Sequence, residues 1–241
     1  MMKVLVIIPT NGSVDNRCIE SVMNQDYSNF SILINVIKAE VKCRKDITVN
    51  STKNRNIARD MALKTDADCF LWVDSDEVLP KGAITEFVTQ QKQAGFHIIG
   101  GWYKIRKSPF WVAGRWVADN TFLHCLKPVP SVTKTDMVGL GCMFISRQAL
   151  NDIEFRDGTN KEANVVNAGK CYLGPCCQFG NDAFEKGYQM YMDGNVICKH
   201  LNRRKEGESW ISMLKEMSMR VSRFRIPFGL SRLQKSEPAI P

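Results

Sequence analysis

Short apolar runs alternate with segments of helical periodicity between Lys3 and Gly100, and this alternation constrains the fold more than any other feature of the chain. The apolar runs are Lys3 to Ile8, Phe30 to Ile37, Ile47 to Val49, Cys69 to Val73 and Phe96 to Gly100. Between them, Cys18, Ile19, Val22 and Met23 lie on one face of a helix for which Asp15 is the N-cap. Ile57, Met61 and Ala62 mark a second helix within Asn56 to Leu63, and Pro80-Lys-Gly82 opens a third that reaches about Ala94. Strands separated by helices in this way predict parallel βαβ units, hence an α/β domain with a mostly parallel sheet flanked by helices.

The stretch Cys69-Phe-Leu-Trp-Val-Asp-Ser-Asp-Glu-Val-Leu-Pro80 points to chemistry. It reads as a buried strand that surfaces at its C-terminal end, where open α/β sheets bind their ligands. Residues i and i+2 of an extended chain face the same way, so Asp74 and Asp76 are expected to converge on one hard cation. Mg²⁺ or Mn²⁺ held by carboxylates keeps open positions for substrate phosphates. The plainer alternative is a strand followed by an acidic turn. Arg55 and Arg59 are one helical turn apart and can share a face; they would serve a diphosphate or simply solvate that face.

The 241 residues, 44% hydrophobic and 24% charged, suit a globular domain, and no apolar run has the length of a membrane span. The N-terminal Met1 to Pro9 lacks the length and cleavage site of a signal peptide. Nine cysteines without framework spacing favour reduced thiols. A cytoplasmic protein is therefore expected. The formal net charge of +8 suits phosphate-bearing partners or is ordinary surface charge. After Gly101 the pattern changes: Trp102, Tyr103, Phe110, Trp111 and Trp116 cluster among Pro, Gly and basic residues. Val138 to Ser146 reads as a strand, Arg147 to Ile153 as a short helix, and Asn151 to Lys170 as a surface loop. Trp210, Leu214, Met217, Val221 and Phe224 form one stripe of a basic amphipathic helix in the tail.

Several blocks in order resemble the nucleotide-sugar glycosyltransferases of the GT-A fold, family 2 type, with their bacterial and viral relatives. They are Val6-Ile-Ile-Pro-Thr-Asn11, Cys18-Ile-Glu-Ser-Val-Met-Asn-Gln-Asp-Tyr27, Asn54-Arg-Asn-Ile-Ala-Arg-Asp-Met-Ala62 and Leu71-Trp-Val-Asp-Ser-Asp76. Further along come Ile98 to Arg106 with Pro109, Val138 to Arg147, and the series Phe179, Ala183, Gly187-Tyr188, Asp193 and His200. The resemblance spans about Lys3 to Leu201. It implies a single Rossmann-like domain over residues 1–204, with a nucleotide-sugar half at 1–100 and an acceptor half at 101–204, followed by the tail helix at 205–241. It also implies transfer of a hexosyl or pentosyl group from a nucleoside diphosphate sugar to a hydroxyl. Pro9, Thr10, Asn11, Arg55, Arg59, Asp74, Ser75, Gly100 and Gly101 would bind the donor, and Asp74, Asp76 and His200 would hold Mn²⁺ or Mg²⁺.

The chain departs from the family pattern at two places. No Asp ends the second strand to bind the nucleobase; Asn35 or Glu40 would stand in. Where inverting members carry the catalytic base, a gapless match puts Gly174-Pro-Cys176, and Cys176 is a poor general base. An offset match would restore Asp182, and Asp157 and Glu162 are further candidates. Inversion, retention and loss of activity all stay open. Cys171, Cys176, Cys177, Cys198 and His200 allow a structural Zn²⁺, although their spacing matches no zinc motif and buried thiols are the alternative.

Other functions compatible with the residues are a non-catalytic nucleotide-sugar or carbohydrate-binding module on the same scaffold, and a nucleotidyltransferase. The loop Thr10 to Asp15 lacks the basic residues the latter would want. The acceptor is open, with nucleic acid and membrane-associated molecules allowed by the basic tail, and that helix could also form a homodimer.

Overall fold

A computed structural model describes residues 1–37, 44–106, 108–158, 162–165, 169–172 and 174–201. The tail from 202 onward, with the expected helix at 205–241, lies outside the described residues, as do Glu40 and the side chains of Glu162 and Cys171. The chain begins with β1 (Val4–Thr10), α1 (Asn16–Met23), β2 (Phe30–Val36), α2 (Arg44–Leu63) and β3 (Cys69–Val73). It continues through β4 (Glu77–Val78), α3 (Ala83–Ala94) and β5 (Ile98–Trp102). A run of short strands follows: β6 (Ala113–Ala118), β7 (Thr121–His124), β8 (Thr133–Thr135), β9 (Met137–Val138) and β10 (Cys142–Ser146). Then come α4 (Arg147–Asp152), β11 (Glu162–Val165), β12 (Gly169–Tyr172), α5 (Pro175–Glu185), β13 (Met190–Ile197) and β14 (Lys199–His200).

The main sheet has seven strands in the order β2-β1-β3-β10-β5-β13-β8. β2, β1, β3, β5 and β13 run one way, while β10 and β8 run against them. The sheet is thus mostly parallel, as the βα alternation predicts. Every residue of β1, β3, β5 and β10 is buried, which is why these strands read as unbroken apolar runs rather than alternating ones. A second sheet of five strands, β12-β11-β7-β6-β9, stands beside it, and β14 pairs with β4 in a two-stranded ribbon. Among the described residues no helix is long and apolar enough to cross a membrane.

The Asp15 cap expected from sequence is present, and a second serves α4. Asp15 caps α1 by accepting from the Arg17 amide, and the Ser146 hydroxyl caps α4 by accepting from the Ala149 amide. Between α2 and α4 the capping is done by arginines, each serving the other helix. Arg147 of α4 donates to the carbonyls of Leu63, Thr65 and Ala67 at 3.0, 2.7 and 2.8 Å, closing the C-terminal end of α2. Arg59 of α2 donates in return to the carbonyls of Leu150, Asn151 and Ile153 at 2.8, 2.8 and 3.1 Å. Carbonyls without an intrahelical partner are satisfied by cations that also complement the helix dipole. Aromatic contacts tie α5 to the sheet: Trp72 meets Phe155 edge-on at 4.9 Å, and Phe155 stacks on Phe179 at 5.3 Å.

Two sequence expectations give way. Ile47 to Val49 is not a strand but part of α2. The β-branched run is only three residues long and continues the helix that follows it, with Val49 exposed. Within the expected loop at Asn151 to Lys170, β11 pairs with β7 and with β12.

Candidate active site

β3 ends at Val73, and its last residue is clamped by β10, where Val73 pairs with Cys142 and the Asp74 amide donates to the Gly141 carbonyl at 3.0 Å. The chain then turns: the Glu77 amide donates back to the Asp74 carbonyl at 2.9 Å, which closes a β-turn over residues 74–77. The extended geometry expected to aim Asp74 and Asp76 together is absent. The turn is imposed by β4, which must leave β3 to pair with β14. Asp74 instead accepts from Arg55 Nη2 at 2.6 Å, and Arg55 also donates to the Ser51 hydroxyl. Asp76 accepts from Arg106 Nη2, which donates as well to the Leu201 carbonyl at 2.8 Å.

The β4–β14 ribbon sets His200 opposite Glu77. His200 Nδ1 lies 3.0 Å from the Lys104 carbonyl, and since a carbonyl only accepts, Nδ1 carries the proton. Nε2 is then a lone-pair donor, and it lies 3.8 Å from Asp76 Oδ1. Burial, helped by the nearby Arg106 charge and opposed by the Lys104 carbonyl, lowers the His200 pKa and keeps the ring neutral. Glu77 is fully buried beneath this turn, with Oε1 3.6 Å from His200 Nδ1. Among the described residues neither of its oxygens has a hydrogen-bond partner, and burial pushes its pKa up to about 10, so it is a neutral acid.

Tyr103 and Gly141 close the floor. The buried Tyr103 hydroxyl accepts from the Gly141 amide at 2.9 Å. A Cβ at Gly141 would come within 2.8 Å of that hydroxyl and 2.9 Å of Asp74 Oδ2, so only glycine leaves the first acid its place.

Solved structures share this arrangement of elements. No protein-family model matches the chain, and no curated protein does. A197 from STIV superposes with a TM-score of 0.60 at 20% identity, covering 84% of this chain and 87% of its own. S. aureus TarS 1-349 in complex with UDP-GlcNAc gives 0.52 at 16% identity, over 88% of this chain and 61% of its own. GalNAc-T7 with UDP, GalNAc and Mn²⁺ gives 0.58 at 12%, over 87% of this chain and 46% of its own, so the chain spans about half of that protein. The chain has the GT-A glycosyltransferase fold.

Within the GT-A frame the remaining expected site residues are distributed as follows. Thr10, at the end of β1, accepts from the Gly12 amide at 3.3 Å and donates to the Ser13 carbonyl at 2.7 Å, shaping the loop that carries exposed Asn11. The Thr10 carbonyl accepts from Asn54 at 2.9 Å, and Asn35 donates to the Asn54 side chain and to its carbonyl at 3.1 Å. Asn35 is thus joined to β1 through α2. Ser75 is buried, and its carbonyl receives the Asp15 amide at 2.9 Å. Pro9, Gly100 and Gly101 lie inside the sheet. A Cβ at Gly101 would meet the Cys142 and Cys198 sulfurs at 2.7 and 3.2 Å, so this glycine lets β5 pack rather than facing the loop ends.

Cys176 and Asp182 share α5 and face different neighbours. Cys176, in its first turn, is near enough to Asp74 and Arg55 to feel both charges; burial nonetheless raises its pKa and keeps the thiol protonated. Asp182 is held by Arg156, whose Nε donates at 2.8 Å, and by Gln178 at 2.7 Å. Among the described residues no three of His, Cys, Asp or Glu gather in a group that could hold a metal, and of the residues considered for Zn²⁺ this covers Cys176, Cys177, Cys198 and His200. Two residues of the site were given no role from sequence, Glu77 and Arg106, and Tyr103 was noted only as one of a cluster of aromatics. Glu77 follows Asp76 directly in an acidic turn, and only the pairing of β4 with β14 reveals that it points inward.

Proposed function

We propose that the chain is a glycosyltransferase that moves a sugar from a nucleoside diphosphate donor to a hydroxyl, with Mn²⁺ or Mg²⁺ held by Asp74, Asp76 and His200. The observation that carries this reading is His200: its Nδ1 proton is committed to the Lys104 carbonyl, which leaves Nε2 directed at Asp76. Metal-binding histidines are oriented in this way by a partner on the other ring nitrogen. Two carboxylates and one neutral imidazole have the donor chemistry that suits a borderline-hard divalent ion, which would have to draw the three together, since they do not form such a group in the structure. The fold supports the reading too, since neighbours in it were solved with UDP-GlcNAc and with UDP, GalNAc and Mn²⁺. A divalent ion in this position neutralises charge that builds on the leaving diphosphate. Arg55, fixed by Ser51 and Asp74, supplies a second positive charge at the end of β3. We assign the activity to residues 1–204, with the tail at 205–241 packing on that domain or on a second copy.

Asp74→Asn combined with Asp76→Asn is expected to abolish Mn²⁺-dependent nucleotide-sugar binding in a protein that still folds, although it melts lower because Arg55 and Arg106 lose their partners. Calorimetric titration with a panel of nucleotide sugars reads this, and undiminished metal-dependent binding would overturn it. One observation favours a second reading, a non-catalytic nucleotide-sugar-binding module: the protonated Cys176 stands where the gapless match to the family would put the base. Metal-dependent hydrolysis of a donor that binds separates the two, because a binding module leaves the donor intact.

A further inference from the structure

Both acids of the turn already carry a cation that belongs to the protein. The two guanidiniums are held differently. Arg55 rises from α2, its side chain 9% exposed, and is fixed by Ser51 as well as Asp74. Arg106 sits on the loop between Tyr103 and Phe110, where the Ile105 amide donates to the Phe110 carbonyl at 2.9 Å, and its side chain is 35% exposed. Its Nη2 bridges Asp76 Oδ2 and the Leu201 carbonyl, while the other oxygen of Asp76 faces His200 Nε2. A guanidinium therefore occupies the carboxylate that a divalent ion would need.

We infer that Arg106 is a donor-binding residue that competes with the divalent ion for Asp76 and moves onto the donor's diphosphate when that ion binds. This rests on the metal-dependent reading above. The argument is one of charge and valence. A guanidinium has five N–H donors and no acceptor, so once displaced from Asp76 it keeps the Leu201 carbonyl and has N–H groups open to water or to an arriving anion. A diphosphate held by the ion would bring such an anion, and a planar fork matches phosphate oxygens as well as it matches a carboxylate. The exposed loop position gives Arg106 room for the exchange, which the buried Arg55 lacks. Metal and nucleotide are then coupled through one side chain: the metal pays for displacing Arg106 when it binds alone and recovers that cost when the nucleotide is present.

The test uses the full-length chain and two variants. Arg106→Ala removes the guanidinium; Arg106→Gln removes the charge but keeps a donor for the Leu201 carbonyl, so the loop stays docked. Free Mn²⁺ is counted by electron paramagnetic resonance with no nucleotide present. UDP, GDP, ADP and CDP are then titrated in turn at saturating Mn²⁺. Both variants are expected to bind Mn²⁺ alone about threefold more tightly, the worth of a partly exposed ion pair. They are expected to bind the nucleoside diphosphate about tenfold or more weakly, the worth of a charged hydrogen bond. Opposite signs for the two ligands are the signature, since a merely structural defect weakens both. A parent that binds metal and nucleotide, with variants unchanged or weakened in Mn²⁺ affinity, overturns the inference alone. A parent that binds neither overturns the metal-dependent reading and this inference with it.

Discussion

Arg55 and Arg59 stand one helical turn apart, and their surroundings assign them different work. Arg55 meets Asp74 at the end of β3; Arg59 spans three carbonyls at the end of α4 and is 8% exposed. Arg59→Ala is expected to lower stability by about 2–3 kcal/mol, because buried carbonyls lose charged donors, and to leave nucleotide affinity within about twofold of the parent. Arg55→Ala is expected to weaken nucleotide binding about tenfold or more. Thermal melts and calorimetric titrations of the two variants check this, and an Arg59 variant that melts with the parent would contradict it. The sequence reveals that both residues lie on one helix face. It does not reveal that the face is divided between a strand end and another helix, because spacing fixes a side chain's direction and not what lies there.

At the scale of elements, the readable signals were local ones. The buried runs of β1 and β3, the Asp15 cap and the helical stripe of α1 follow from periodicity and capping chemistry in a single stretch of chain. What periodicity cannot carry is partnership. β10 enters antiparallel between β3 and β5, and that pairing brings Gly141 to Asp74. That two acids follow β3 was legible, but the turn that redirects them was not, since it depends on β4 finding β14. β13 and α3 meet in a pair of carboxyls: Asp193 is fully buried facing Glu86, with Asn195 and Gln90 donating to Glu86. Burial, and then the Glu86 charge, raises Asp193 to about 6, above the 3.8 of a free aspartate. Between those values the folded chain keeps a proton the unfolded chain has released, so this group's contribution to stability falls as pH rises from about 4 to 6. Asp193→Asn is expected to stabilise the protein by roughly 2–4 kcal/mol relative to the parent at pH 7.5 and by much less at pH 4. Denaturant unfolding at the two pH values measures the difference; an equal effect at both would contradict it.

At the scale of the molecule, the site is assembled from segments far apart in the described chain. Strand β3 contributes the approach to the acids, the loop after β5 contributes Arg106, and β14 contributes the imidazole. The chain continues past this last strand into the basic stripe of Trp210, Leu214, Met217, Val221 and Phe224, which lies outside the described residues. A chain ending before Ser209 is expected to melt at lower temperature or to change oligomeric state, as loss of a packed apolar stripe requires. An unchanged melting temperature and oligomeric state, with salt-sensitive binding to anionic vesicles or DNA lost, would instead assign the tail to an anionic surface. The β4–β14 ribbon also bears on how the chain is made. A ribosome releases Asp74 and Asp76 long before it releases His200, and β10, which covers the edge of β3, emerges between them. For that interval the nascent chain carries an open apolar strand edge, the kind of surface that chaperones shield. It also has the acids without the imidazole, so synthesis passes through no early stage at which the proposed metal site is complete.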